Sequence, residues 1–391
     1  MPIHSFAAAG AAAYLVIGCG ARTTLDSCQA EGDAASCDCE APEPDGPTAW
    51  KIEIVDSGPQ IARQSSLAID ADGFAHVAYQ DGRPEARYAT NVTGEWVASS
   101  LAQGTCRDGD IAVDPSGSPH VVCTDVLEGL RHATTVEGAW LVDTIDPEGE
   151  EGSVATDLDG AVSLVYSVPC TNDPPEPGLR RAILPGPSLR EQIDPDCSTH
   201  RASVQIDRSG ALHVSYAVWI DWNVYEIRHA TSAGGQWSST TVQTLDGPEY
   251  ELGPSKTSLA VDPSGAVHLV YARRGTLYHA HGRGDGWTVE AVDVVRATAG
   301  GATLVSDATG ALHLGYYERG TTDLRHATKL GGAWTVETVE SATSDGFPDG
   351  TVGLAVDDVS GTLHLSYRSD ATDELRHALR PLVDDAGAGC D

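Results

Sequence analysis

Methionine and phenylalanine are almost absent from this chain: Met1 is the single methionine, and three phenylalanines occur in 391 residues. A core of long flexible side chains is thereby excluded. Ala, Val, Leu, Tyr and Trp must fill the interior, a mixture that suits strands. Basic residues are scarce as well. Lys and Arg total 24 against 57 Asp and Glu, a formal charge of −33, which excludes a protein that holds nucleic acid through its phosphates. The same field repels anionic polysaccharide and draws cations in from long range. No nucleophile elbow, phosphate loop or zinc motif occurs. Fragments such as "DADG" and "DLDG" lack the full ligand spacing of a calcium loop. No catalytic residue, metal or cofactor is therefore expected.

The apolar run "FAAAGAAAYLVIGCG" (6–20) is too short to cross a bilayer and ends at a small residue followed by Cys19. Val16, Ile17, Gly18 and Cys19 closely resemble the lipobox of bacterial lipoproteins. That resemblance implies a signal peptide over 1–18 and lipid on Cys19, with the chain exported and tethered to the envelope; Gly20 after the cysteine points to the outer membrane. Residues 19–47 are rich in Ala, Asp, Glu, Gly and Pro without apolar periodicity, the composition of a solvated tether.

Beyond the tether the sequence repeats. Gly73, Gly117, Gly160, Gly210, Gly265, Gly310 and Gly361 fall 44, 43, 50, 55, 45 and 51 residues apart, each with Asp three places earlier, Asp358 in the last. Three residues after these glycines stand His76, His120, Ser163, His213, His268, His313 and His364. Three further on stand Tyr79, Cys123, Tyr166, Tyr216, Tyr271, Tyr316 and Tyr367. Each unit reads as four short strands with turns between, the period and content of a propeller blade. The last unit lacks an outer strand, while "AWKIEIVD" (49–56) is an orphan matching "AWTVETVE" (333–340). The spacing predicts an all-β, seven-bladed propeller of four-stranded blades over 48–380, closed by the N-terminal strand in the last blade, with a tail over 381–391. The repeat resembles the sialidase-like and BNR-like propellers of many bacterial surface lipoproteins, although Ser and Trp of the strict sialidase Asp box are missing. Such a resemblance speaks to architecture and leaves the chemistry open.

Eleven of the 14 histidines occupy two repeat positions: the six above, and His132, His229, His279, His326 and His377 on third strands. A feature stamped into six blades is structural, so these rings are expected to fill the space between blades and donate to a carbonyl or the nearby Asp. Arg131, Arg180, Arg228, Arg325 and Arg376 are expected to pair with acidic groups. Nine cysteines in an exported chain argue for disulfides. With Cys19 lipidated, the strand layout suggests Cys106 with Cys123 and Cys170 with Cys197. Cys28, Cys37, Cys39 and Cys390 flank the chain ends.

Functional residues are sought where the repeat breaks on the face that carries the second-to-third-strand loops and the connections between blades. The fourth unit breaks it most, with "AVWIDWNVYE" (217–226) supplying Trp219, Asp221, Trp222 and Tyr225; His200, Tyr250, Arg273, Arg274 and Arg319 occupy neighbouring loops. Exposed Trp flanked by carboxylate and guanidinium groups suits sugar stacking or a protein hot spot. The expectation is a non-enzymatic, monomeric lipoprotein that binds a protein or carbohydrate partner on this face. Two other readings stay open: a carbohydrate-active enzyme, polysaccharide lyase or glycosidase-like, and a structural spacer of an envelope assembly.

Overall fold

The computed structural model describes residues 49–382, apart from 63, 82–84, 106, 171–176, 185–189, 197–198, 222–223, 248–255, 285, 294–300, 319–320, 343–349 and 370. The signal peptide, Cys19 and its tether, Cys28, Cys37, Cys39 and Cys390 lie outside the described residues, as do Cys106, Cys197, Trp222, Tyr250 and Arg319.

Seven antiparallel sheets of four strands follow one another along the chain, and no helix occurs among the described residues. Blade 1 shows the pattern: Ser65–Ile69 innermost, then Ala75–Gln80, Glu85–Thr90 and Val97–Thr105. The last blade takes Lys51–Ser57 as its outer strand, with Ile52 opposite Ala378 and Glu53 opposite His377. At the inner end the ring closes through Thr351 Oγ1, which accepts from the Ser65 amide at 2.9 Å and donates to the Ser65 carbonyl at 2.8 Å. This is the propeller that the repeat predicts.

The repeated Asp builds the turn between the first two strands. Asp114 Oδ1 accepts the amides of Ser116 and Ser118 at 2.8 and 2.9 Å, and its carbonyl accepts the Gly117 amide. Gly117 sits at φ 82°, a left-handed conformation that costs a side chain energy and glycine nothing. Blade 7 departs from this, because its turn is one residue longer. Asp357, not Asp358, accepts the turn amides there, from Val359 and Ser360.

The apolar core lies between blades. One cluster joins Ala217 and Ile227 of blade 4 to Leu259, Leu269 and Tyr271 of blade 5, and the other joints repeat this arrangement. Within it, the repeated tyrosine of blades 1, 4, 6 and 7 donates to a carboxylate of the outer strand of the blade before: Tyr79 to Asp56, Tyr216 to Asp194, Tyr316 to Asp293 and Tyr367 to Glu340, at 2.5–2.7 Å. Third-strand arginines pair with the same carboxylates, Arg228 with Asp194 at 3.0 Å and Arg376 with Glu340 at 2.7 Å. These four joints therefore bury a phenol with a carboxylate and, in blades 4 and 7, a guanidinium that satisfy one another; in blade 5 Tyr271 donates instead to the Gln243 amide oxygen.

Candidate functional site

The axis of the ring is built from first strands, which crowd together and leave room only for small side chains. Four places before the turn Asp stand Ser66, Asp110, Ser153, Ser203, Ser258 and Thr303, which line an axial cavity of about 170 Å³. Their oxygens accept amides of the next blade: Asp110 Oδ2 from Val154 at 3.1 Å, Ser153 Oγ from Val204 at 3.3 Å, Ser258 Oγ from Leu304 at 3.0 Å. Asp110 also accepts from Ser66 Oγ at 2.8 Å and Ser153 Oγ at 2.7 Å. Both its oxygens are thus spent on joining three blades, and this ring holds structure rather than ligand.

One turn outward, at the entrance on the loop face, the first strands of blades 2, 3 and 4 are bulged, with register breaks between Arg107 and Asp110, Glu150 and Ser153, and His200 and Ser203. Asp108 and Glu151 adopt left-handed φ of 52° and 54°, a strain of about 1–3 kcal/mol that surrounding structure must hold in place. Gln64 Nε2 donates to Asp108 Oδ1 at 2.9 Å, and Glu151 Oε2 lies 3.6 Å from His200 Nδ1. Burial pushes the Glu150 carboxyl upward, and the charges of Glu151 and Asp108 add to this against the opposing His200. A carboxylate cluster with one raised member and one imidazole therefore gathers at the bulged starts of these first strands, close in sequence to Gly109, Asp110 and Ser153 of the cavity wall. Of these residues only His200 was expected at a site. The signal for the rest was "RDGD" (107–110) beside "EEGS" (150–153), two acidic openings where blades 5 and 6 place Lys256 and Gly301.

Blade 4 carries the expected tryptophan on a lengthened hairpin. Its second strand, Leu212–Asp221, runs ten residues, and Trp219 pairs with Tyr225 across the hairpin. Trp219 is 38% exposed, and its Nε1 donates to the Asp221 carbonyl at 2.5 Å. Tyr225 is half-buried against the core between blades 4 and 5, so it supports the hairpin more than it faces solvent. Arg273 donates to the Asp246 carbonyl, and the Arg274 guanidinium lies against Gly247. Since Asp246 pairs with Val224, both arginines border the same hairpin. His200 lies on the first strand opposite Ala217, two residues before Trp219 on the neighbouring strand.

The repeated histidines are buried. Nε2 of His120, His213, His268 and His313 meets the turn Asp at 3.2–3.3 Å. Nδ1 meets the third-strand histidine at 3.0–3.2 Å. In blade 1 Tyr88 takes the second place, 2.5 Å from His76. Outer-strand tryptophans of the following blade stand edge-on to these third-strand rings, Trp96 on His377, Trp287 on His229 and Trp334 on His279. Cys123, which replaces the repeated tyrosine in blade 2, is disulfide-bonded, as is Cys170.

No protein-family model and no curated protein matches the chain. Among solved structures, an α-L-arabinanase of Penicillium chrysogenum complexed with arabinobiose is 11% identical, with a TM-score of 0.52 over 86% of this chain and 99% of that one. AofleA of Arthrobotrys oligospora is 12% identical, with a TM-score of 0.50 over 75% and 90%. A lectin of Aleuria aurantia, in complex with Fucα1-6GlcNAc, is 14% identical at a TM-score of 0.47 over 74% and 100%. At such identities the likeness shows the fold alone, and this chain is a seven-bladed β-propeller.

Proposed function

We propose that this chain is a non-enzymatic binding propeller, tethered to a bacterial envelope through lipid on Cys19, that takes a carbohydrate on its loop face. The observation that carries this reading is Trp219: an exposed indole on a hairpin whose second strand, ten residues, is the longest among the described residues, with its N–H already committed to the Asp221 carbonyl. The ring orientation is set before a ligand arrives, so little freedom is lost on binding. An indole face suits the C–H face of a sugar ring, and Asp221, Arg273 and Arg274 offer polar contacts beside it. The arabinanase of similar fold is complexed with arabinobiose, which is consistent with a sugar ligand here. With a net charge of −33, neutral or basic glycans are favoured over polyanions. On a glycan array the protein should bind a defined set of neutral glycans, and Trp219→Ala should weaken binding about tenfold or more at unchanged thermal stability. Equal binding by the variant would refute the assignment. Anchoring is tested separately: the native chain should partition into detergent, and Cys19→Ser into the aqueous phase.

One observation favours a second reading, a glycosidase-like enzyme. Glu150 is raised by burial beside Glu151 and Asp108, and carboxyls in unlike environments are what glycoside hydrolysis uses as acid and base. Release of reducing ends from neutral polysaccharides, abolished in Glu150→Gln, would select it.

A further inference from the structure

Blade 5 breaks the repeat at one half-buried position. Where blades 1, 2, 4 and 6 carry Thr90, Thr134, Thr231 and Thr328 on the third strand, blade 5 carries His281. His279 and His281, two apart on Thr276–Arg283, point to the same side of the sheet. Their rings stack at 5.3 Å between centroids.

The surrounding ladder is one proton short. His268 Nε2 meets Asp262 Oδ2 at 3.3 Å, His268 Nδ1 meets His279 Nε2 at 3.0 Å, and His279 Nδ1 meets Glu290 Oε1 at 2.9 Å. Two neutral imidazoles carry two ring protons, and both carboxylates only accept, yet there are three links. One link therefore sets a lone pair against another unless a cation lies there. Blade 6 has the same ladder through His326 and solves the problem with Arg380, whose Nη2 lies 3.2 Å from His326 Nδ1. The residue corresponding to Arg380 is Lys329, and its shorter ammonium bonds to Glu290 instead of the imidazole. Trp334 Nε1 also donates to Glu290 Oε1, at 3.3 Å. Blade 5 adds a ring nitrogen where its neighbours carry a hydroxyl, and that atom, His281 Nδ1, is buried with no hydrogen-bond partner.

We propose that His279, His281 and Glu290 bind a divalent transition metal of the zinc class through two imidazole nitrogens and one carboxylate oxygen, with further positions open to water. One ligand atom from each lies within 4.8 Å of the others. A tetrahedral zinc ion with bonds of about 2.0–2.1 Å sets its ligands about 3.4 Å apart, so small side-chain shifts complete the site. Imidazole with carboxylate is a donor set that Zn²⁺ accepts readily. The Glu290 side chain, 37% exposed, provides the way in, and the acidic field of the whole chain favours a cation's approach. Lys329 competes for Glu290 and swings off its oxygen when the metal binds. The inference is independent of any sugar-binding role, because this cluster lies within the blade 5–6 joint, away from the loop-face hairpin of blade 4.

The experiment is a titration of the untagged chain with Zn²⁺ by calorimetry and with Co²⁺ by visible absorption. Saturable one-to-one binding and the intense d–d bands of tetrahedral Co²⁺ are expected, with a Zn²⁺-dependent rise in melting temperature. His281→Thr installs the residue that neighbouring blades carry at this position, so it should fold normally while binding at least about tenfold more weakly. Lys329→Gln should bind more tightly. Absence of saturable binding in the native chain, or its retention in folded His281→Thr, overturns the site.

Discussion

A buried phenol must find a partner, and in this ring the partner comes from the preceding blade. Tyr216, fully buried, donates to Asp194 at 2.7 Å while Arg228 approaches the same oxygen at 3.0 Å. Tyr216→Phe should lower unfolding free energy by about 1–2 kcal/mol, since a charge-assisted bond is lost while the carboxylate keeps its guanidinium. Asp194→Ala should cost more, because both partners lose their shared carboxylate and fall back on Ser239 and Glu226. Chemical denaturation of the two variants checks the order. The buried histidines set the acid limit of the fold. Burial, with a neighbouring imidazole adding to it, holds His132 and His229 down at about 3, against 6.5 in the unfolded chain. Unfolded chain takes up these protons as pH falls through 6.5, and folded chain does not, so their contribution is complete above that value and is lost progressively toward pH 3. Asp207 acts lower: burial raises it, but bonds from Ser209, His213 and turn amides outweigh this and hold it at about 2. Melting temperature should accordingly fall between pH 7 and 4.5, before ordinary carboxylates titrate; a flat profile there would contradict the neutral-histidine ladders.

At the scale of elements, the strand Lys51–Ser57 does two jobs. It pairs with Glu374–Pro381 along its length, and Trp50 just before it stands edge-on to His326 with the Arg380 guanidinium 4.4 Å over its ring. Removing residues 49–57 would leave blade 7 with a bare outer edge and open a joint of the ring. The truncated chain should lose its cooperative unfolding transition or self-associate through the exposed strand, and light scattering with calorimetry will detect either. Hairpins vary far more freely than this strand. The ten-residue strand of blade 4 extends past its neighbours without disturbing the tyrosine joint below it, which is why a binding residue such as Trp219 can be added there without a penalty to the ring.

For the molecule as a whole, charge is the dominant feature. A net −33 over the whole chain opposes folding through self-repulsion, even though many carboxylates are committed to turns and joints. Moderate salt screens charges beyond a Debye length of about 10 Å. The melting temperature at neutral pH should therefore rise from low to moderate salt, and a fall would mean that the joint ion pairs outweigh the repulsion.

Much of this architecture was readable in the chain. The DxxG turns, the His and Tyr registers and the orphan strand recur at blade spacing, because every blade must solve the same local problem of turning tightly and packing against a neighbour. What a single blade cannot reveal is which groups meet across a joint. The partners of Tyr216 and Arg228 lie 22 and 34 residues away, and the acidic cluster of Asp108, Glu150 and Glu151 exists only because three bulged strands converge on one axis. His281 shows in sequence only as a histidine where four other blades carry threonine, and only the folded ladder beside it has three links and two protons. Local backbone and packing demands repeat, and repetition is visible in sequence. Electrostatic complementarity between blades is a property of distance, and folding alone creates those distances.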